Sequence, residues 1–570
     1  MLNVEEKKIM YKPKIIFSLL ILLFQYTALA ADPSDIYEQQ QRAKRQEMEQ
    51  QYRINEERVN IPVPEQKPQP SLDSTTADVK FFIQDFVIDD CGTKHFQWLH
   101  KYTEEYSGKI ITLKEIFAIQ KQLSDAVLKH GYVTSQVLIP EQDFKNTKTF
   151  KFIVVPGYIE DIRFKDENIM GTWRNAFPCG KGYILNSFDL EQGLEQMRRA
   201  GNQDVTMQIE PGTKTGWSVV VLDVKRTKSW SIETSWDDAG QKSTGRRELT
   251  TGLTLYNPTG LNDILSVGYT KDTVTHDDEF GTYNNNFYYS IPFKNFTFTA
   301  SKYCNKYRQT TPLMYGDMYR YEGKTDTWEL GINSLIHRDN SRKTQLTTKF
   351  IRRHKRGEDN FVGRVDNQEL DTTAYQVGIN HRQYIGQGMV DVLLYYQQGI
   401  PTLGAKAGWE DDIEDGATTK YKMLGWNLYY GTPLKTGKIK SRFSTTFRGQ
   451  LTSDKLYGAD HMSIGGRYSV RGFNGENTLA AENGYLLRNE LAFQFAKLRH
   501  EMYIGLDYGR VWGKSDSFNI GNYLVGAFFG IRGNITKLIN YDVFIGTPLK
   551  KPKGFKAGKT ACGFNVNMSI

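Results

Sequence analysis

From Lys228 onward, apolar and polar residues alternate with a period of two, the signature of half-buried strands. Leu253 and Leu255, then Leu265, Val267 and Tyr269, alternate with Thr254, Ser266 and Gly268. Phe296, Phe298 and Ala300 alternate with Thr297, Thr299 and Ser301, and similar runs recur at Tyr375–Ile379, Leu424–Tyr430, Tyr485–Phe495, Tyr523–Ile531 and Phe564–Ile570. One face of each run is apolar, while the other carries amides, glycines and charges. A soluble β-sandwich would bury those charges in its core, whereas the lumen of a membrane barrel is polar and accepts them. About 340 residues follow Lys228, and a strand spanning roughly 9–11 residues takes about 20 with its turn, which predicts about sixteen antiparallel strands in a transmembrane β-barrel.

The residues before Lys228 follow other periods. Lysines at 7, 8, 12 and 14, an apolar run from Ile15 to Phe24 and the small-residue site Ala28-Leu29-Ala30 read as a signal peptide over 1–30. Residues 31–57 are good helix formers with almost no apolar face, so this helix is solvated, disordered or housed in a polar cavity. Four prolines between 58 and 77 mark a linker. Two α+β units follow, over 78–157 and 158–227. In the first, Lys80–Ile88 reads as a strand, Thr112 and Glu115 form a capping box before a helix, and Gly131 ends that helix. Strands are expected over Tyr132–Ile139 and Phe150–Val155. The second has a helix over Phe188–Arg199 and strands over Val205–Ile209 and Trp217–Val224. The strand from Val133 to Leu138, with Val133, Ser135 and Val137 on one side, could be an edge to which an extended peptide adds, or an internal strand.

Composition sharpens this picture. Tyr 33, Phe 31 and Trp 9 make 13% of the chain aromatic, although mean hydropathy is only -0.54, as expected when apolar residues occupy alternate positions. The net charge of +8 is spread among nearly as many acids and no nucleic-acid motif accompanies it, so nucleic acid is not an expected partner. Cys91, Cys179, Cys304 and Cys562 lack metal-ligand spacing and read as unpaired and buried, although Cys91 and Cys179 could pair in an oxidising compartment. The histidines are scattered and no Gly-x-Ser-x-Gly elbow is present, so no enzyme chemistry and no cofactor is expected.

The run Thr112–Val155, with Lys129-His130-Gly131-Tyr132-Val133-Thr134-Ser135, resembles a polypeptide-transport-associated (POTRA) domain, and the second unit looks like another. The whole resembles the outer-membrane transporters of two-partner secretion, the TpsB group. Its marks are Trp236-Asp237-Asp238-Ala239-Gly240 with Thr244-Gly245, Tyr256–Asp263, Leu403-Gly404-Ala405 and Val470-Arg471-Gly472-Phe473. The resemblance implies a sixteen-stranded barrel, periplasmic POTRA units and an N-terminal helix that plugs the pore at rest. It also implies a secreted TpsA-type exoprotein as partner, alongside outer-membrane lipid and the barrel assembly machinery. An outer-membrane assembly factor of the same superfamily, or a barrel-embedded lipid hydrolase, are the alternatives.

In that family the loop arginine meets an acid in an aromatic-x-Asp-x-Gly strand motif. Gly505-Leu506-Asp507-Tyr508-Gly509 matches, with Gly505 where the aromatic stands. Phase independently turns Asp507 inward if Leu506 and Tyr508 face lipid, and does the same for Arg488 and Glu490. The expected lumenal lock is therefore Arg471, Gly472 and Phe473 with Asp507 or Glu490.

Overall fold

The alternating half closes on itself. In the computed structural model, which describes residues 33–55, 79–273, 280–312, 318–361, 363–364, 369–405, 416–436, 439–495 and 499–570, sixteen strands form one closed antiparallel barrel among the described residues. The first strand, Trp230–Asp237, pairs with the last, Ala561–Ser569, and Ile232 and Ile570 exchange backbone hydrogen bonds of 3.0 and 3.2 Å at the seam. Closure leaves no unpaired edge in the hydrocarbon, where an unsatisfied backbone amide would cost several kcal/mol. Phase is as the sequence predicts: Ile504 and Leu506 are exposed outside while Asp507, the next residue along the strand, is fully buried.

Strand lengths depart from the expected 9–11 residues. Phe296–Pro312, Met318–Arg338 and Arg342–Asp359 run for 17, 21 and 18 residues and carry the wall well beyond the span of an apolar layer. Backbone pairing there continues between polar side chains, which alternation of apolar residues alone could not mark.

The first α+β unit differs from expectation in two places. Lys80–Ile88 is two strands: the chain breaks at Gln84, so Lys80–Ile83 pairs with Lys109–Thr112 and Asp85–Asp89 pairs with Thr149–Val155. The strand expected over Tyr132–Ile139 is only Gln136–Leu138, because Gly131 (φ +90°) turns the chain and Tyr132–Ser135 coil back on the helix end. The helix itself, Leu113–Lys129, starts at the predicted capping box, Thr112 Oγ1 accepting from the Glu115 amide at 3.2 Å and Glu115 from the Thr112 amide at 2.6 Å. Its Ile116, Ile119, Leu123 and Val127 enter a core with Phe86, Phe150 and Phe152.

The second unit packs helix Ser187–Arg198 over strands Tyr158–Phe164, Trp217–Arg226 and Gln203–Pro211. This helix is buried on its polar side too, because it seats on the barrel rim. Arg338, the rim end of strand Met318–Arg338, bonds Glu191 at 3.2 Å and also Glu195, which Lys343 reaches at 2.5 Å. The Tyr256–Asp263 turn supplies the other half of the joint: Asn262 Nδ2 donates to Thr172 O at 2.7 Å and to Asn175 at 3.0 Å. Gly171, at φ +105°, approaches Gly260 so closely that a side chain there would strike the opposing backbone.

All four cysteines are free. Cys179 is buried as expected, but Cys91 and Cys562 are exposed, which corrects the reading of all four as buried. Cys91 sits in a left-handed turn (φ 54°) and Cys562 takes an outward position of its strand, beside Ile545. The signal-peptide and linker segments lie outside the described residues.

Candidate functional site: the lumenal loop and the plug helix

Between strands Ile439–Leu451 and Asn483–Gln494 the chain folds back into the lumen. This loop has its own apolar core: Ile464, Val470, Phe473 and Leu479 pack on wall residues Leu486, Val511 and Leu524 and on Phe555. Burial of such a cluster fixes the loop before any charge is considered. Its tip lies against bare backbone, since a Cβ at Gly472 (φ +110°) would come within 2.7 Å of Thr547 O and within 3.1 Å of Gly526 Cα. Gly526 and Gly546 supply the matching absence of side chains on the wall, and no local sequence pattern marks either.

Arg471 makes the contacts expected of it. Its Nε donates to Asp507 Oδ2 at 2.8 Å, its Nη2 to Oδ1 at 3.0 Å and its backbone amide to Oδ2 at 2.9 Å. The remaining Nη1 reaches Glu490 Oε2 at 2.9 Å, so the two candidate acids both engage it. A bidentate pair with a fully buried carboxylate is geometrically specific. Glu490 is in turn held by Arg532 at 2.6 Å.

The missing aromatic is replaced from the next strand. Phe528 pairs in register with Gly505, and its ring fills the space a Gly505 side chain would need. The Arg471 guanidinium carbon lies 3.6 Å from that ring's centroid. The loop's second arginine, Arg467, bonds Asp238 at 3.3 Å, giving the Trp236–Gly240 stretch a direct role in seating the loop.

Helix Pro33–Asn55 lies in the lumen; its Tyr37 packs on Tyr307 and Tyr321 of the wall, and most of its other wall contacts are polar. Lys44 pairs with Glu248 at 3.3 Å, Glu49 with Lys349 at 2.9 Å, Arg53 with Asp391 at 3.2 Å and Asp35 with Lys355 at 3.0 Å. Glu47 bridges Arg448 at 3.2 Å and Arg488 at 2.9 Å. These partners stand on strands all around the barrel, so the helix crosses the pore as a plug. It also grips the loop: Gln39 donates to Gly458 O at 2.7 Å, Gln40 to Gly475 O at 2.9 Å and Arg42 to Asp460 O at 2.7 Å. Arg488, held by Glu47, stands 4.0 Å from Asp507, the carboxylate that holds Arg471.

The residues predicted at a peptide-binding edge are not brought together. Val133 packs on the second unit's core, Ser135 is buried and its hydroxyl accepts from the Gly157 amide at 3.0 Å, and Val137 lies in the first unit's core. Gln136–Leu138 is an edge strand, but the Val137 carbonyl is already taken by Gln120 at 2.9 Å.

A closed polar-lumened barrel, stoppered by its own helix and carrying two small α+β units on one rim, is an outer-membrane transporter with periplasmic POTRA domains. The haemolysin secretion/activation protein ShlB/FhaC/HecB model matches residues 216–533, a POTRA model of ShlB type matches 81–157 and a further POTRA model matches 158–211. The chain belongs to this ShlB/FhaC/HecB family. It is 37% identical to the outer membrane transporter CdiB-2 of Burkholderia pseudomallei over 83% of this chain and 80% of that one. It is 30% identical to the hemolysin transporter protein HpmB of Proteus mirabilis over 70% of each. The solved structure of CdiB from Escherichia coli superposes with a TM-score of 0.83 at 24% identity, covering 95% of this chain and 99% of that one. Members of this family are transporters, so the hydrolase and assembly-factor readings give way to two-partner secretion.

Proposed function

We propose that the POTRA domains receive an unfolded segment of a secreted exoprotein (a haemolysin, adhesin or contact-dependent toxin) and that this segment passes through the lumen after the plug helix has left it. The observation that carries this reading is the plug: a helix held by ion pairs to opposite walls lies across the lumen that an exported chain would traverse. The Arg471–Asp507 pair keeps the loop folded on its wall while the rest of the lumen clears. Transport in this reading draws on binding of the cargo in the periplasm and on its folding outside. An added strand at a sheet edge of the first POTRA domain would give affinity through backbone hydrogen bonds. Of Val133, Ser135 and Val137, Val137 alone lies on the edge strand.

The test ties the plug to the wall. A K44C/E248C pair, replacing an ion pair whose 3.3 Å separation lies between the ends of two long side chains, is bridged by a membrane-permeant bis-maleimide with a reducible spacer in cells that also express the exoprotein. Secretion should stop on bridging and return with reductant. Continued secretion from a fully cross-linked population would show that cargo does not use the lumen this helix occupies.

A further inference from the structure

The three long strands carry an unusual surface on the outside of the barrel, at the end away from the POTRA domains and therefore at the cell exterior. Going up this wall, Ile332 and Leu330 face out, then Trp328, half exposed, ends the apolar band. Register places Lys302 directly on one side of Trp328 and Arg352 directly on the other. The Lys302 ammonium lies 4.5 Å from the Trp328 ring centroid. Aromatic rings with flanking cations at this level mark the layer where lipid headgroups begin.

Four residues further along the strands, about 13 Å, Lys306, Lys324 and Arg356 stand side by side in register. Like charges directly opposite each other destabilise a sheet. The fold cancels them only in part: Lys324 leans to Asp326 at 3.2 Å and Lys306 to Glu322 at 3.1 Å, and Glu322 is shared with Arg308 at 2.6 Å. Among the described residues no carboxylate lies within ion-pair distance of Arg356, while in the lower row Arg352 has Asp371 at 3.4 Å. A groove lined by Tyr283, Asn285, Cys304 and the carboxylates of Glu322 and Glu358 runs beside the upper row. None of these side chains faces the lumen, so transport does not explain them.

We infer that this wall binds the phosphate groups of the anionic glycolipid of the outer leaflet, with the Lys302–Trp328–Arg352 row at the base of the headgroup and the Lys306–Lys324–Arg356 row above it. Two cationic rows at different heights suit a headgroup bearing more than one phosphate. The bound lipid would relieve the repulsion within the upper row and hold the long hairpins upright over the membrane.

The test uses the full chain in detergent and measures binding of phosphorylated lipopolysaccharide, dephosphorylated lipopolysaccharide and inorganic phosphate. Folding of each variant is checked by the heat-dependent mobility shift of the barrel. K306Q/K324Q/R356Q and, separately, K302Q/R352Q should each bind phosphorylated lipid roughly tenfold or more weakly, as loss of several cations near an anionic surface requires. K306R/K324R/R356K should retain binding. Unchanged affinity in both neutralised variants would overturn the inference. So would equal binding of the dephosphorylated lipid, or displacement of lipid by inorganic phosphate at equal phosphate concentration, which would make this a free-anion site.

Discussion

Phe528 occupies the place of the side chain that Gly505 lacks. The two residues pair across adjacent strands, and the ring that overlies the glycine also supports the guanidinium of Arg471 at 3.6 Å. Aromatic support for the loop arginine is thus kept while its source moves by one strand.

Exchanging the two positions should therefore be tolerated better than changing either. G505F alone clashes with the Phe528 ring and should impair barrel folding, F528G should lose a desolvated cation–π contact of about 2 kcal/mol, and G505F/F528G should recover much of both losses. Heat-modifiability and secretion, measured on the same three variants, check this; a double variant as poor as G505F alone would refute the exchange.

Removing one partner of the lock leaves a buried charge without compensation. R471A or D507A should cost about 3–5 kcal/mol of loop docking, seen as protease cleavage within residues 452–482 and as reduced secretion. E490A should cost less, because Arg471 keeps its bidentate bond to Asp507. A charge-exchanged R471D/D507R variant that secretes no better than either single variant would count against direct pairing as the functional requirement.

Glu47 joins plug and lock, since Arg488 is shared between them. E47Q should loosen the plug and raise the frequency of open events in planar bilayers, while deletion of 33–55 should leave the pore open. E47Q should also make the loop more protease-sensitive, because an Arg488 freed from Glu47 can compete with Arg471 for Asp507. Intact loop protection in E47Q with an opened pore would show that plug and lock act independently.

The joint between helix Ser187–Arg198 and the rim should behave as a unit. E195A and R338A should each destabilise the seating of the second POTRA domain, and the double variant should cost less than the sum of the two. Cross-linking between residues 175 and 262 across the same joint reports the seating directly.

Thiol chemistry separates the cysteines. Burial, with Asp189 nearby, pushes the Cys179 thiol up to about 12, so it stays protonated and unreactive at neutral pH. A water-soluble maleimide should label Cys91 in the folded protein and reach Cys179 only after unfolding. Labelling of Cys179 at a comparable rate would contradict its place in the second domain's core.

The period-two alternation determined the barrel, its approximate strand number and the inward face of Asp507, Arg488 and Glu490, because a strand has only two faces and lipid accepts only one kind of residue. The capping box and the polar helix were equally local, since a helix end and a missing apolar face are written within a few residues. Only the tertiary structure decided what depends on register between distant strands. It placed Phe528 over Gly505, set Gly526 and Gly546 beneath the loop tip and joined Glu47 to the lock through Arg488. It also shortened the strand expected over Tyr132–Ile139, where a glycine turn and the packing of Val133 on a neighbouring domain outweighed a run of β-branched residues. Those outcomes rest on contacts between residues far apart in the chain, and no local pattern records which two positions closure of the barrel will bring face to face.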